Sequence, residues 1–307
     1  MSDQALTPDP EVGDILPNGE DMWRKQTGRW RDAIDGYTAE MRAAGLSERT
    51  IRQRRYQLGI LSEDFLHRSP WRLTRAELAD WLGSYQWAAS TRMVYRATIR
   101  QFYHWARLDG RVKRSPAETL PPIRVPDGVP HPVPDDVVAD ALARASQRDE
   151  LVLLLGYDAG LRRAEIAALR WDQLSGDDLR IRGKGKRVRV IPATRRLLKA
   201  LRAEQQRRQA GRYGDGWHYR PGDDGGFVFP GKHHGHLAPE VIGRIAHAAL
   251  GDGWSTHDLR HSYLTRAYQI AGDIRAVAEL AGHVKLDTSR GYARLPSDAL
   301  RRIVDQM

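Results

Sequence analysis

Apolar positions recur at helical spacing along most of the chain. Trp30, Ile34, Tyr37 and Met41 form one stripe that ends at Gly45, and Ser47 caps a second helix with Ile51, Leu58, Leu61 and Phe65 facing inward. Thr74-x-x-Glu77 is a capping box ahead of Leu78, Trp81 and Leu82. A fourth helix starts at Ser90 or Thr91 and carries Val94, Thr98, Phe102 and Trp105 along one side. These four elements predict a helical bundle over residues 23–114. The segment 115–134 then holds Pro116, Pro121, Pro122, Pro126, Pro130, Pro132 and Pro134, which no helix or central strand tolerates. It reads as an extended, semi-rigid linker.

Beyond the linker the pattern predicts a second domain over 135–307, with helices at 135–146, 149–158, 162–170, 193–208, 239–249, 257–270, 273–281 and 287–293. Two alternating stretches, Leu179 to Arg182 and Arg187 to Ile191, flank Gly183-Lys184-Gly185-Lys186 and predict a β-hairpin. Gln209 to Gly226 is glycine-rich and charged, hence a surface loop, and Phe227 to Pro230 is a short buried strand or turn. Leu300, Ile303, Val304 and Met307 stripe a terminal helix, which either folds back on its own domain or docks on a neighbour. The fold class is mainly α with a small β-sheet: a helical bundle followed by an α+β domain.

Charge narrows the partners. With 49 Lys plus Arg against 39 Asp plus Glu, the chain carries +10, and a pI near 10.0 suits a phosphate-rich ligand. Arg49, Arg52 and Arg55 line the second helix, and Arg92, Arg96 and Arg100 recur every four residues on the fourth. Like charges at that spacing repel, so an anion such as DNA lying against them would relieve the helix; a merely solvated face is the alternative. Residues 1–22 are acidic, proline-containing and lack an apolar core, so they read as a disordered tail and not as a signal peptide. Nothing resembles a membrane span, and zero cysteines exclude disulfides and thiolate metal sites, which fits the cytoplasm of a bacterial host. Lys232-His233-His234-Gly235-His236 lacks a carboxylate or cysteine at ligand spacing, so it reads as loop or DNA contact, with no metal or cofactor expected.

Gly160-Leu161-Arg162-Arg163-Ala164-Glu165 places Arg162 where a helix begins, with Glu165 three residues on to hold its guanidinium. In Thr256-His257-Asp258-Leu259-Arg260, Thr256 is a plausible N-cap and His257 and Arg260 share a face, so two arginines and a histidine could converge on one anion. Paired guanidinium groups suit a phosphoryl transition state, whose charge spreads over equatorial oxygens. Lys184, at a hairpin tip, can reach a leaving oxygen as proton donor, and Lys186 competes for that role. Tyr292 follows Gly291, and its phenol, with a reference pKa of about 10, would attack as phenolate beside a cationic cluster.

In these boxes the chain resembles the tyrosine recombinase, or phage integrase, family. Gly160 to Glu165 matches the family's Gly-Leu-Arg-x-x-Glu, Lys184 its hairpin lysine, and His257 to His261 its His-x-Leu-Arg-His. Leu280-Ala281-Gly282-His283, followed nine residues later by Tyr292, is close to its last box with one residue inserted, and Ala293 stands where many relatives carry threonine or serine. The resemblance spans roughly residues 23–295. It implies a SAM-like core-binding bundle and a catalytic domain that close on DNA as a clamp. It also implies Arg162 and Arg260 as phosphate clamp, Lys184 as general acid, His257 as base or hydrogen-bond partner, His283 as phosphate ligand and Tyr292 as nucleophile.

The implied activity is metal-free, ATP-free cleavage and rejoining of double-stranded DNA at core sites by a homotetramer, with a directionality factor as a candidate partner. A phage or mobile-element integrase is the first expectation and a chromosomal dimer-resolving recombinase the second. A type IB topoisomerase-like enzyme and a catalytically inactive DNA-binding relative are the remaining classes. Only about 22 residues precede the first clear helix, which favours short core sites over distant arm sites.

Overall fold

A computed structural model describes residues 28–126, 131–183, 188–210, 226–231 and 235–282. The chain divides into two compact units, one ending at Pro126 and one starting at Asp127. In the first, α1 (Gly28–Ala43), α2 (Glu48–Asp64), α3 (Arg75–Ser84) and α4 (Ala89–Leu108) surround an aromatic core. Trp30, Ile34, Tyr37 and Met41 are buried together, as their spacing predicts. Ser47 caps α2 by accepting the Thr50 N–H, and the Thr74–Glu77 capping box opens α3.

Phe102 is the hub, with ring centroids of Tyr37 at 5.6 Å, Trp71 at 5.6 Å, Trp105 at 5.8 Å and Trp30 at 6.4 Å. The polar edges of these rings find partners, as buried Trp and Tyr must: Trp30 Nε1 donates to the Phe65 and Arg68 carbonyls, and the Tyr103 hydroxyl donates to Pro70.

α4 differs from its predicted register. Its N-cap is Ala88, with no side-chain cap, and its buried face adds Tyr95, Ile99, Tyr103 and Ala106 while Val94 is only half-buried. Trp87 stacks between Tyr85 and Tyr95 at 4.2 and 4.0 Å, which fixes the chain just ahead of the helix and moves its start to Ala89. The proline-rich segment is packed at both ends, because its few apolar residues are used. Ala117 and Leu120 are buried in the first unit, and Val133 in the second.

The second unit is built around α6 (Gln147–Tyr157), in which Leu151 to Tyr157 are all buried. A helix apolar on every side must be covered on every side. α5 (Asp135–Arg144), α8 (Arg195–Gln209), α9 (Pro239–Leu250) and α10 (Thr256–Ala271) do so, and α11 (Ile274–Ala281) packs on α10. Gly156 lets α10 come close, since a Cβ there would lie 3.0 Å from Leu259 Cδ1.

The predicted hairpin is present as β2 (Asp178–Arg182) and β3 (Val188–Pro192), antiparallel, with Leu179 opposite Ile191. A two-residue strand, β1 (Leu174–Ser175), adds a third member too short for a periodic signal. Phe227 bridges to Arg170 and Val228 and Phe229 are buried, as expected of a short covered segment. The predicted helix at 287–293 and the predicted terminal helix carrying Leu300, Ile303, Val304 and Met307 lie outside the described residues.

Phe102→Ala should cost about 3–5 kcal/mol, the usual range for emptying a large aromatic site. Urea unfolding followed by tryptophan fluorescence reads this; a loss under about 1 kcal/mol would show that the cluster does not organise the bundle.

Candidate active site

The site begins where α6 ends. Gly160 has φ +61°, and a Cβ there would meet the Tyr263 ring at 2.3 Å, so both backbone conformation and packing demand glycine. The turn delivers Arg162 to the N-cap of α7 (Arg163–Ala167). Glu165, on the first turn, accepts the Arg162 backbone N–H at 2.9 Å and the Arg162 guanidinium at 3.0 Å. The Arg162 side chain stays 43% exposed while that of Glu165 is 9% exposed.

A second arginine reaches the same carboxylate from β3. Arg189 donates Nη1 to Glu165 Oε1 at 2.9 Å and Nη2 to Oε2 at 2.7 Å, a bidentate pair with both partners nearly buried. Burial pushes the Glu165 carboxyl up, but the hydrogen bonds and charge of Arg189, then those of Arg162, outweigh it and hold the group at about 2. Glu165 is therefore an anion at any working pH.

Arg260 enters from beneath. It is 2% exposed, and its guanidinium donates to the carbonyls of Gly160 and, at 2.6 Å, Ala281. One buried cation thus joins the turn that carries Arg162 to the end of α11, where Gly282 adopts φ +62°.

The helix bearing Arg260 starts one residue earlier than predicted. Ser255, not Thr256, is the N-cap: its hydroxyl accepts the His257 N–H while Asp258 accepts the Ser255 N–H. Thr256 is buried in the first turn. His257 is exposed, with its ring 4.3 Å from that of His261. His131 stacks on Trp254 at 4.4 Å and lies 3.5 Å from Asp258, and Ser262 Oγ donates to the Val133 carbonyl, so the segment entering this unit is fastened to α10.

Of the predicted catalytic residues, His257 and Arg260 share the start of α10, and Arg260 joins the Gly160 turn that carries Arg162. They do not share one open face, because Arg260 is consumed by packing and carbonyl contacts that the short motif could not reveal. Lys184, Lys186, His283 and Tyr292 lie outside the described residues.

Sequence reasoning missed Arg189 and Tyr263. The available signal for Arg189 was its phase: in the alternation of β3 it shares a face with buried Ile191, an unusual place for an arginine.

The six bundle arginines are not one uniform outer face. Successive steps of four rotate a helix position by about 40°, so Arg92 and Arg96 swing toward the core side. Both are half-buried: Arg96 Nη2 donates to the Leu120 carbonyl at 2.7 Å and Arg92 to those of Tyr85 and Trp87. Burial, then the neighbouring Arg100 charge, lowers the Arg96 pKa. Arg55 pairs with Asp35 at 2.8 Å, whereas Arg49, Arg52 and Arg100 are exposed.

No group of three or more His, Cys, Asp or Glu side chains suited to a metal occurs among the described residues. Within those residues no helix is long and apolar enough to cross a membrane.

Burial, then the charge of His257, lowers the His261 pKa from 6.5 to about 4. The unfolded chain therefore takes up a proton between about pH 6.5 and 4 that the folded chain resists, so stability from neutral His261 is full above that window and is lost as pH falls through it. Denaturation midpoints should drop across this range, and His261→Gln should flatten the drop. Parallel curves for the two proteins would contradict the assignment.

Residues 135–298 match the phage integrase family. Tyrosine recombinase XerC of Chromobacterium violaceum is 30% identical over 89% of this chain and 93% of that relative. Tyrosine recombinase XerC of Xanthomonas campestris pv. campestris is 32% identical over 68% of this chain and 65% of its own length. Among solved structures, a lambda integrase dimer bound to a core site shares the fold at TM-score 0.67 and 14% identity, over 86% of this chain and 94% of that one. From a family match over more than half its length and a relative similar along most of it, the chain belongs to the phage integrase family of tyrosine recombinases.

Proposed function

We propose that this tyrosine recombinase is of the chromosomal dimer-resolving kind. The expectation from sequence put a phage or mobile-element integrase first; the relatives reverse that order, since the Chromobacterium and Xanthomonas proteins are both named XerC. The observation that carries the reading is the 30% identity to the Chromobacterium XerC sustained over 93% of that relative.

DNA as partner is supported by solved relatives of the same fold, among them a XerH recombinase bound to its difH substrate at TM-score 0.61. Action as a homotetramer on two short core sites is part of the proposal, with the exposed Arg49, Arg52 and Arg100 as the bundle's contribution to DNA binding and Arg55, Arg92 and Arg96 held by their own unit. A directionality factor belongs to the integrase alternative.

In the proposed chemistry, Tyr292 Oη attacks the scissile phosphorus and forms a 3′-phosphotyrosyl bond. The 5′-oxygen departs and takes a proton from Lys184, or from Lys186. Arg162 and Arg260 offset the charge that grows on the non-bridging oxygens, His257 relays or accepts the phenolic proton, and His283 binds the phosphate. A 5′-hydroxyl of the partner duplex reverses the step, so bond energy is conserved and no ATP enters.

Deep sequencing of chromosomal DNA captured covalently by the protein should map to one resolution site distant from the gene. Capture at an attachment site beside the gene would support the integrase instead. Tyr292→Phe should abolish the adduct on a nicked suicide duplex while specific binding persists, and an adduct in that variant would displace Tyr292 as nucleophile. A 5′-phosphorothiolate linkage, whose leaving group needs no proton, should restore cleavage to Lys184→Ala but not to Arg162→Ala; no restoration would move the acid role to Lys186.

A further inference from the structure

Arg189 carries no role in the reaction described above, yet it touches two of the segments that build the site. It grips both oxygens of Glu165 at 2.9 and 2.7 Å. Its aliphatic stem lies under Gly282, where a Cβ would come within 2.9 Å of Arg189 Cδ. It therefore sits between the Arg162 turn and the residue preceding His283.

The carboxylate it holds has a second suitor. Arg162 shares Glu165 through a single contact of 3.0 Å, and a buried anion draws in whatever cation is available. With Arg189 in place, the charge of Glu165 is already matched bidentately, and Arg162 remains 43% exposed. Without it, the same 9%-exposed carboxylate would face Arg162 alone, and the Arg162 fork would close fully upon it.

We propose that Arg189 is a positioning residue for strand cleavage: by saturating Glu165 it prevents Glu165 from capturing the Arg162 guanidinium, and so keeps that guanidinium presented to the scissile phosphate. This rests on the phosphate-clamp reading of Arg162. It makes Glu165 both a support and a competitor. The backbone N–H contact and one side-chain contact orient Arg162, while Arg189 limits how much of it the carboxylate can claim.

The competition has a signature that loss of structural support alone would not give. Arg189→Met keeps the stem beneath Gly282 and removes the charge. It should slow adduct formation on a nicked suicide duplex by about tenfold to a hundredfold, the scale of a misplaced reacting group. Adding Glu165→Gln should then recover most of the lost rate, because a neutral amide no longer attracts Arg162.

Arg162→Ala serves as the reference. If Arg162→Ala is inactive and Arg189→Met cleaves like the unmodified protein, the positioning role of Arg189 fails while the clamp stands. If Arg189→Met is slow and the double variant is no faster, Arg189 is a structural pair and the proposal is overturned. If Arg162→Ala itself cleaves normally, the clamp reading fails, and the positioning role falls with it.

Discussion

A single buried guanidinium, that of Arg260, joins parts of the chain that the sequence keeps far apart. It donates to the carbonyl of Gly160 and to that of Ala281, residues 100 and 21 positions away. A buried cation of this kind is tolerable only when its donors are used and its charge is met by aligned dipoles. The demand runs in both directions. Gly160 must turn with positive φ under Tyr263 to aim its carbonyl, and α11 must end at Gly282 for Ala281 to be reached. Once these are met, Arg162 has its place at the start of α7 and His257 its place at the start of α10.

Charge is layered in the same region. Glu165 neutralises Arg189 within the protein and orients Arg162 at its surface, so two cations meet one anion and a surplus positive charge faces outward. On the proposed reading, that surplus is what a phosphodiester meets. The bundle shows a similar sorting of arginines: Arg55, Arg92 and Arg96 are engaged by groups of their own unit, while Arg49, Arg52 and Arg100 are exposed. A positive balance of +10 thus overstates how much of the charge is presented to a ligand.

The sequence made the helices legible because their buried stripes are strong and their caps are chemical: Ser47 and the Thr74–Glu77 box lie where the residue types require. The ordered boxes around Arg162 and Arg260 mark the family in the sequence alone. What escaped was long-range. The burial of Arg260 depends on carbonyls whose approach no local pattern encodes, and Arg189 reads as one more basic residue unless its strand phase is set against Ile191. Cap positions moved by one or two residues, at Ser255 and Ala88, where a competing hydrogen bond or an aromatic stack decided the matter. The choice between integrase and dimer resolution came from relatives, since both use the same chemistry.

On the proposed mechanism the exposed Arg162 guanidinium, shared by Glu165, meets a scissile phosphate that Tyr292 captures, and Arg260 gives up a carbonyl contact to join it. A crystal structure of the chain covalently trapped on a nicked core-site duplex measures this most directly. The expected result is a bond from Tyr292 Oη to the 3′-phosphate, with both guanidinium groups within hydrogen-bonding distance of its non-bridging oxygens. A trapped phosphate that contacts neither arginine, or that is joined to another side chain, would contradict it.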